Sequence, residues 1–521
     1  MQWRITILLV FLNFTGHLAF SQIQFDDVST DFQVHNEGNT SGVAFIDFDN
    51  DSDPDIFVVN SDAGHSNALY RNPGNDEDPF DDYTDDANLV NTDYGYATTW
   101  GDYDNDGTLD AFVTNHGNST ANLLYKNSGG SNPDFNLVPI SLEGDADDAG
   151  TTWLDYDIDG DLDLFLLDHH GQGGGYFLWK NTGTGSFTNV TSSAIGVSGA
   201  GQCVVAADFD NDGDPDIYTT TNNPGDYASS TYFQNNGNGT FTRLTNAGGA
   251  PNSLKSDPRD PGYDGQAQGV TVGDYNNDGW LDLYIANDGP GGFKNRLYQN
   301  DGDGTFHEDT EAGVGYTGES YGAQFADFDN DGWLDLYVTN NNAPNHLYRN
   351  NGDETFTHIS SATIDGGTNP SRASAIGDFD EDGQLDLYIG NAGSSNRLLQ
   401  NATNNTYHYI RFRLQGAQSN PEALNARVRV QTNSNAQIRE ITGSSGYMSQ
   451  NEAVVHFGLH NATSISLVEI RWPSGTIELT DGLLVDNQYM NEARSPSSYL
   501  ICLEKKSARS STHRRTQGFI G

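Results

Sequence analysis

The sequence predicts an all-β protein: a seven-bladed β-propeller with a second, smaller antiparallel β domain. Three observations predict it. A segment like DFDNDGWLDLY at Asp327–Tyr337 recurs seven times, starting at Asp47, Asp102, Asp155, Asp208, Asp274, Asp327 and Asp378. The successive spacings are 55, 53, 53, 66, 53 and 51 residues, a period that marks a repeat architecture. Each unit also holds about four short β-rich runs bounded by Gly, Asn and Asp, the make-up of a propeller blade.

Residues 1–21 read as a secretory signal peptide. Arg4 precedes an apolar run from Ile5 to Leu12, and Ala19-Phe20-Ser21 forms a small-x-small cleavage site. The apolar run is too short to span a membrane, so a secreted, extracellular chain is expected, periplasmic or at the cell surface in a bacterium. A formal charge of −49 argues against nucleic acid and anionic membranes as partners. Cys203 and Cys502 are the only cysteines, so no disulfide framework is expected.

The propeller is assigned to residues 22–401. Five residues before each loop stands a small residue: Gly42, Ala97, Gly150, Cys203, Gly269, Gly322 or Ala373. After each loop come a run such as DIFVVN and a second run such as NALYRN. Strands led by Phe80, Phe135, Phe187, Phe241, Phe306 and Phe356 follow, and the last unit lacks its own. The segment around Phe25 is therefore expected to supply the outer strand of the seventh blade, joining the two ends of the ring in one sheet. The longer spacing after the fourth loop comes from Gly248–Gly265, expected to be an exposed loop.

Counting the first aspartate of each loop as position 1, side-chain oxygens fall at positions 1, 3, 5 and 9. These are Asp47, Asp49, Asp51 and Asp55; Asp102, Asp104, Asp106 and Asp110; Asp155, Asp157, Asp159 and Asp163; Asp208, Asp210, Asp212 and Asp216. The last three loops supply Asp274, Asn276, Asp278 and Asp282; Asp327, Asp329, Asp331 and Asp335; Asp378, Asp380, Asp382 and Asp386. Position 6 is Gly in six loops and Ser52 in the first. Two carboxylates ~5 Å apart repel by roughly 3 kcal/mol at an effective dielectric of ~20. A divalent ion turns that repulsion into attraction, and hard oxygens in a flexible loop suit Ca²⁺, up to seven ions here. An EF-hand would need Glu at position 12, where the first two loops carry Val58 and Val113.

The D-x-D-x-D-G-x-x-D loops and their flanking LY strands resemble the FG-GAP/VCBS repeats of integrin α-type propellers. The resemblance implies calcium in the blade hairpins, with a backbone carbonyl at position 7 as a further ligand. That position holds Asp53, Thr108, Asp161, Asp214, Trp280, Trp333 and Gln384, a mixture that suits a main-chain role.

Composition changes after Asn401. YHYIRFRLQG, NARVRVQT and AQIREI alternate apolar and basic residues, as half-exposed strands do. With GYMSQN, HFGL and WPSG they resemble the ASPIC/UnbV domain that follows FG-GAP repeats in cartilage acidic protein-like proteins. This domain is assigned to 402–502, and the basic tail 503–521 is expected to be disordered.

No catalytic constellation stands out. GESYG at Gly318–Gly322 fits the hydrolase elbow pattern, but it precedes a strand rather than a helix. His169 and His170 fall in a loop after a strand, and Cys203 fills the small site of the repeat. Asn60, Asn115, Asn287, Asn340 and Asn391 recur in five blades, which suits a strand-end cap better than catalysis. Functional side chains are expected among non-repeating residues such as Lys255, Arg259, His169 and His170. Sequons at Asn39, Asn118, Asn189, Asn238, Asn401, Asn404 and Asn461 admit glycosylation in a eukaryotic host. The expected function is a non-enzymatic, calcium-binding scaffold for adhesion to a protein or glycan. The alternative is a carbohydrate-active enzyme or lectin working from the propeller face.

Overall fold

Each aspartate loop joins an innermost strand to the second strand of the same sheet. The innermost strands are Thr40–Ile46, Gly95–Gly101, Asp148–Leu154, Val204–Ala207, Ala267–Gly273, Ser320–Ala326 and Ser371–Gly377. Their residues are nearly all buried, which suits their short Val, Thr, Ala and aromatic composition. The structure is a computed structural model. It describes residues 23–484 except 63, 76–77, 90–93, 118–120, 143–146, 170–174, 184, 197–199, 222–229, 245–265, 289–292, 304 and 417–418, together with the backbone of 493–494 and 500–502. The expectations for the signal peptide, His170, Asn118, Lys255, Arg259, the long loop and the tail lie outside the described residues.

Seven four-stranded antiparallel sheets form the blades. Each innermost strand lies beside the next, and Ser371–Gly377 returns to Thr40–Ile46 to complete the ring. The seventh sheet takes its outer strand from the opposite end of the propeller. Phe25–Asp27 pairs antiparallel with Arg397–Asn401, with Phe25 opposite Asn401. The ring is thus held at its seam by backbone hydrogen bonds, as the missing Phe strand of the last unit predicted.

An asparagine ends the third-strand run of every blade and staples it to its neighbour. Asn127 donates through Nδ2 to the carbonyl of Phe48 in the preceding blade and to that of Leu109 in its own. Asn181, Asn235, Asn300, Asn350 and Asn401 repeat this around the ring. Asn72 completes the circle on Phe379 of the seventh blade. Asn401 is therefore buried and fully engaged, which removes it from the glycosylation acceptors the sequence suggested.

Residues from 408 onward form two further four-stranded sheets. One has the order 454–460, 408–415, 500–502, 493–494; the other has 436–440, 427–432, 464–471, 477–484. Their apolar faces enclose Ile410, Phe412, Val428, Val430, Phe457 and Trp472. The basic faces are less exposed than the alternation suggested. Arg411 and Arg427 retain only 13% and 6% side-chain exposure, because these faces meet the aspartate loops of the propeller.

The segment Gly443–Glu452 fills the centre of the ring. Gln450 exchanges backbone hydrogen bonds with the first blade at Val43 and Phe45, and Gly446 with the fifth at Val270. Thr99 donates to the Gly443 carbonyl, Ser444 to that of Val204, and Ser445 to Gln324 Oε1. Glu452 N–H donates to Ile376 O in the seventh blade. Innermost strands expose unpaired backbone edges to the channel, and an extended segment satisfies them as an added strand would. The small residues of the repeat permit this approach: a Cβ on Gly42 would lie 2.4 Å from the Met448 carbonyl oxygen.

Candidate metal centres

The loops have one geometry. Position 4 has positive φ in all seven, from 53° at Glu381 to 61° at Asn211. Position 6 has φ between 78° and 96°. Glycine tolerates that conformation and a residue with a Cβ does not. Ser52, at φ 78°, is the strained exception, so Ser52→Gly is expected to stabilise the chain by about 1 kcal/mol. Equilibrium urea unfolding measures it, and a destabilised variant would contradict the strain.

Positions 1 and 9 are tied to the backbone. In the second loop Asp102 accepts from the N–H of Asp106 and Gly107 at 2.9 and 2.7 Å, and Asp110 accepts from Asn127 N–H at 2.8 Å. Position 5 accepts from the position 7 N–H, as Asp106 does from Thr108 at 3.1 Å. The position 7 side chains vary: Thr108 and Gln384 donate to the position 5 carboxylates Asp106 and Asp382, Asp161 accepts from Asn105 of the preceding loop, and Trp280 and Trp333 lie over Gly302 and Gly352.

Positions 1, 3 and 9 converge. One oxygen from each of Asp47, Asp49 and Asp55 lies within 4.8 Å of the others, and the same holds for Asp102, Asp104 and Asp110. Asp155, Asp157 and Asp163, then Asp208, Asp210 and Asp216, then Asp327, Asp329 and Asp335 repeat it. In four of these loops the position 3 Oδ1, on Asp49, Asp104, Asp157 and Asp329, is buried with no hydrogen-bond partner. Buried acceptors are almost always satisfied. An unsatisfied carboxylate oxygen facing two more carboxylates fits a cation, so these aspartates can hold a metal ion. In the fifth loop Asn276 instead donates to Asp278 Oδ2 at 2.9 Å, leaving a less anionic pocket.

Burial, reinforced by the neighbouring carboxylates, raises the aspartates' affinity for protons. Asp110 is pushed up to about 8 and Asp155 to about 7. Asp55, Asp163, Asp216, Asp282, Asp335 and Asp386 are all driven well above the usual carboxylate range, chiefly by burial.

Two sets of side chains that the sequence did not single out complete the site. The third-strand residue before the stapling asparagine always reaches toward its own loop in six blades. Lys126 pairs with Asp104 and Asp106, Lys180 with Asp157 and Asp159, and Arg349 with Asp329 and Asp331. Gln234, Gln299 and Gln400 contact Asp210, Asp278 and Asp380. This signal was present in the x-N ending of each LY run.

The second set comes from the C-terminal sheets. Arg411 pairs with Asp378 at 2.9 Å and Glu452 at 2.8 Å. Arg413 pairs with Asp47 at 2.5 Å and donates to the Ser52 carbonyl at 3.0 Å. Arg427 pairs with Glu440 at 2.7 Å and lies 3.8 Å from Asp208. Half-buried Arg439 is faced by Asp327 and Asp274. Glu440 and Glu452 in turn accept the N–H of Asp208 and Asp378. His456 bonds Asn330 at 2.6 Å, and burial beside Arg411 and Arg439 keeps its imidazole neutral.

The other sequence candidates are structural. Ser320 starts an innermost strand, and its hydroxyl donates to Asn340 at 2.6 Å; Ser371 does the same to Asn391. Asn115, Asn287, Asn340 and Asn391 donate to carbonyls four to seven residues ahead, as strand-end caps. Burial pushes the Cys203 thiol up to about 12. His169 is half-buried, edge-on to His116 at 5.3 Å.

Comparison with known proteins agrees with this architecture. The FG-GAP-like repeat family matches residues 47–113, 155–219, 274–338 and 327–389, and the ASPIC and UnbV family matches 416–495. Cartilage acidic protein 1 of Mus musculus is 30% identical over 262 residues, and that of Homo sapiens 29%. Each match covers 47% of this chain but only 38% and 37% of the relative. Among solved structures, a B. thetaiotaomicron extracellular domain described as part of a hybrid two component system is similar with TM-score 0.44 and 14% identity, over 75% of this chain and 43% of that one. The V. cholerae biofilm matrix protein Bap1 is similar with TM-score 0.28 and 12% identity, over 64% and 59%. The chain therefore carries FG-GAP-like repeats followed by an ASPIC and UnbV domain, and it is related to cartilage acidic protein 1.

Proposed function

We propose that the chain is an extracellular, calcium-binding scaffold without catalysis of its own, presenting a rigid propeller face for adhesion to a protein or glycan. The observation that carries this reading is the repeated, buried, partnerless position 3 oxygen facing two further carboxylates. All-oxygen ligands favour Ca²⁺ over zinc, and a flexible loop favours it over Mg²⁺. Bound calcium would supply positive charge to the loops; the chain's own residues orient the carboxylates and link each loop to its neighbour. Among the described residues no helix is long and apolar enough to cross a membrane. The test is elemental analysis of the purified chain with calcium titration by calorimetry, and a chain that takes up no calcium refutes the reading.

Two expectations follow from the loop chemistry. Lys126 holds a positive charge against Asp104 and Asp106, so it competes with an incoming cation. Lys126→Gln, the residue type found at Gln234, Gln299 and Gln400, is expected to tighten calcium binding at the second loop by about tenfold, or about 1.4 kcal/mol. Calorimetry on the variant decides it, and weaker binding would make Lys126 a support rather than a competitor.

The second concerns pH in the absence of metal. Asp110 and Asp155 hold their protons more tightly folded than unfolded. They therefore stabilise the metal-free fold fully below their unfolded value of 3.8, and that stabilisation is lost as pH rises through about 7 to 8. Metal-free chain is expected to melt at a lower temperature at pH 8.5 than at pH 6, while calcium-loaded chain is not. Thermal scans after calcium removal read this directly; equal melting at the two pH values would mean the carboxyls do not carry protons in the empty loops.

A further inference from the structure

The repeat hides a second, non-repeating site. Six residues before each aspartate loop, at the end of the channel away from those loops, the blades carry Ser41, Tyr96, Ala149, Gln202, Gln268, Tyr321 and Arg372. Nothing in the metal pattern requires these residues to differ. In six blades the innermost strand has a bulge at or beside this position, a device that re-aims side chains and recurs next to functional sites.

Several of them meet over the tip of the central segment. Tyr96 and Tyr447 hydroxyls are 2.9 Å apart, and Gln202 Nε2 donates to both, at 2.9 and 3.2 Å. The Tyr321 ring stands edge-on to Tyr447 at 5.2 Å, with the Arg372 guanidinium 5.4 Å from the Tyr321 centroid. Gln268 donates to Asp288 at 3.2 Å, and Tyr321 bonds the same carboxylate. Gln202 and Gln268 are buried, whereas Tyr96, Tyr321, Arg372 and Asp288 are half-buried. The group therefore lines a recess with an outer side.

Three buried atoms here have no hydrogen-bond partner: Gln202 Oε1, Gln268 Oε1 and Arg372 Nε. They come from three blades and point to something absent, because buried polar atoms are otherwise satisfied. Among the described residues Arg372 also makes no ion pair, in a chain with 73 acidic and 24 basic side chains. Asp288 feels the Arg372 charge without pairing with it, so the guanidinium fork stays open to an anion from outside. Two amide oxygens require donors, and aromatic rings offer faces and edges to an apolar ring surface.

We propose that this recess binds a uronic acid, free or at the end of an acidic glycan. The carboxylate pairs with Arg372, hydroxyls donate to Gln202 and Gln268, and the pyranose ring packs against Tyr96 and Tyr321. Arg is the side chain suited to a planar carboxylate. Asp288, held by Gln268 and Tyr321 in the same group, sets a nearby carboxylate against the ligand's, and Arg372 offsets it; charges beyond about 8 Å are screened at physiological ionic strength. The inference rests on the scaffold reading and gives it a ligand class, but it uses none of the candidate calcium ligands.

Saturation-transfer NMR on the full calcium-loaded chain tests it, with D-glucuronate, D-glucose and an oligouronate tetramer as probes. Transfer to glucuronate and the tetramer but not glucose is expected, with affinity reduced at least tenfold in Arg372→Gln and unchanged in Arg243→Gln. Tighter binding of the tetramer assigns the site to a glycan end, and equal binding assigns it to the free acid. No transfer to either acid, equal transfer to glucose, or an unaffected Arg372→Gln overturns the proposal. A melting scan with and without chelator on the same samples reports separately on the scaffold reading and on whether the variants fold.

Discussion

Chelation is expected to lower the melting temperature of the purified chain by roughly 9–18 °C. At an extracellular-type affinity of ~10⁻⁴ M and ~2 mM Ca²⁺, each loop contributes roughly 1–2 kcal/mol. Seven loops together contribute roughly 7–14 kcal/mol, comparable with the whole stability of an ordinary domain. A propeller of ~380 residues unfolds with an entropy of about 0.8 kcal/mol/K, which converts that sum into the stated shift. The effect is distributed, because most loops touch the next: Asn50, Asn211, Asn277 and Asn330 donate to the carbonyl of the glycine bend in the following loop. Losing one ion thus loosens two blades. Calorimetric scans with EDTA, restored by excess calcium, measure it. A melting curve indifferent to chelator would make the loops hydrogen-bonded hairpins and nothing more.

The second large effect is expected at the contact between propeller and C-terminal sheets. Arg427 is 6% exposed and Glu440, its partner, 1%. Arg427 also donates to the Asp208 carbonyl and to Asn211. Arg427→Met leaves Glu440 buried and unpaired, a loss of about 3–5 kcal/mol. Glu440→Gln in the same chain removes the uncompensated charge and is expected to recover much of that loss. Urea unfolding of both single variants and the double variant forms the cycle. If the double variant is as unstable as the two single losses added, charge compensation is not what seats the domain. The same contact predicts that calcium and domain seating influence each other, because Arg411, Arg413 and Arg427 reach position 1 of the seventh, first and fourth loops.

Much of the propeller was legible because its signals are local and repeated. An aspartate hairpin needs its glycine bend and flanking strands within a dozen residues, so seven copies in register expose the blade and its number. Even the seam was readable, since one missing Phe strand pointed to Phe25. The chemistry of positions 1, 3 and 9 was legible for the same reason, whereas position 5 proved to turn partly toward the backbone N–H of position 7. The basic strands were misjudged because alternation says that two faces differ, not that the second face meets water. Arg411 and Arg427 read as surface residues until the acidic loops were set opposite them.

By itself the sequence determined the all-β repeat, the seven blades and the carboxylate loops, because each depends on residues close along the chain. Only the tertiary structure decided what fills the centre of the ring and what stands at its open end. GYMSQN belongs to the C-terminal segment yet bonds inner strands hundreds of residues away, and Tyr96, Gln202, Gln268, Tyr321 and Arg372 share a recess only after the ring closes. Contacts of that kind leave no periodic trace, since each blade contributes a different side chain at one register, and their meaning arises from juxtaposition across the axis.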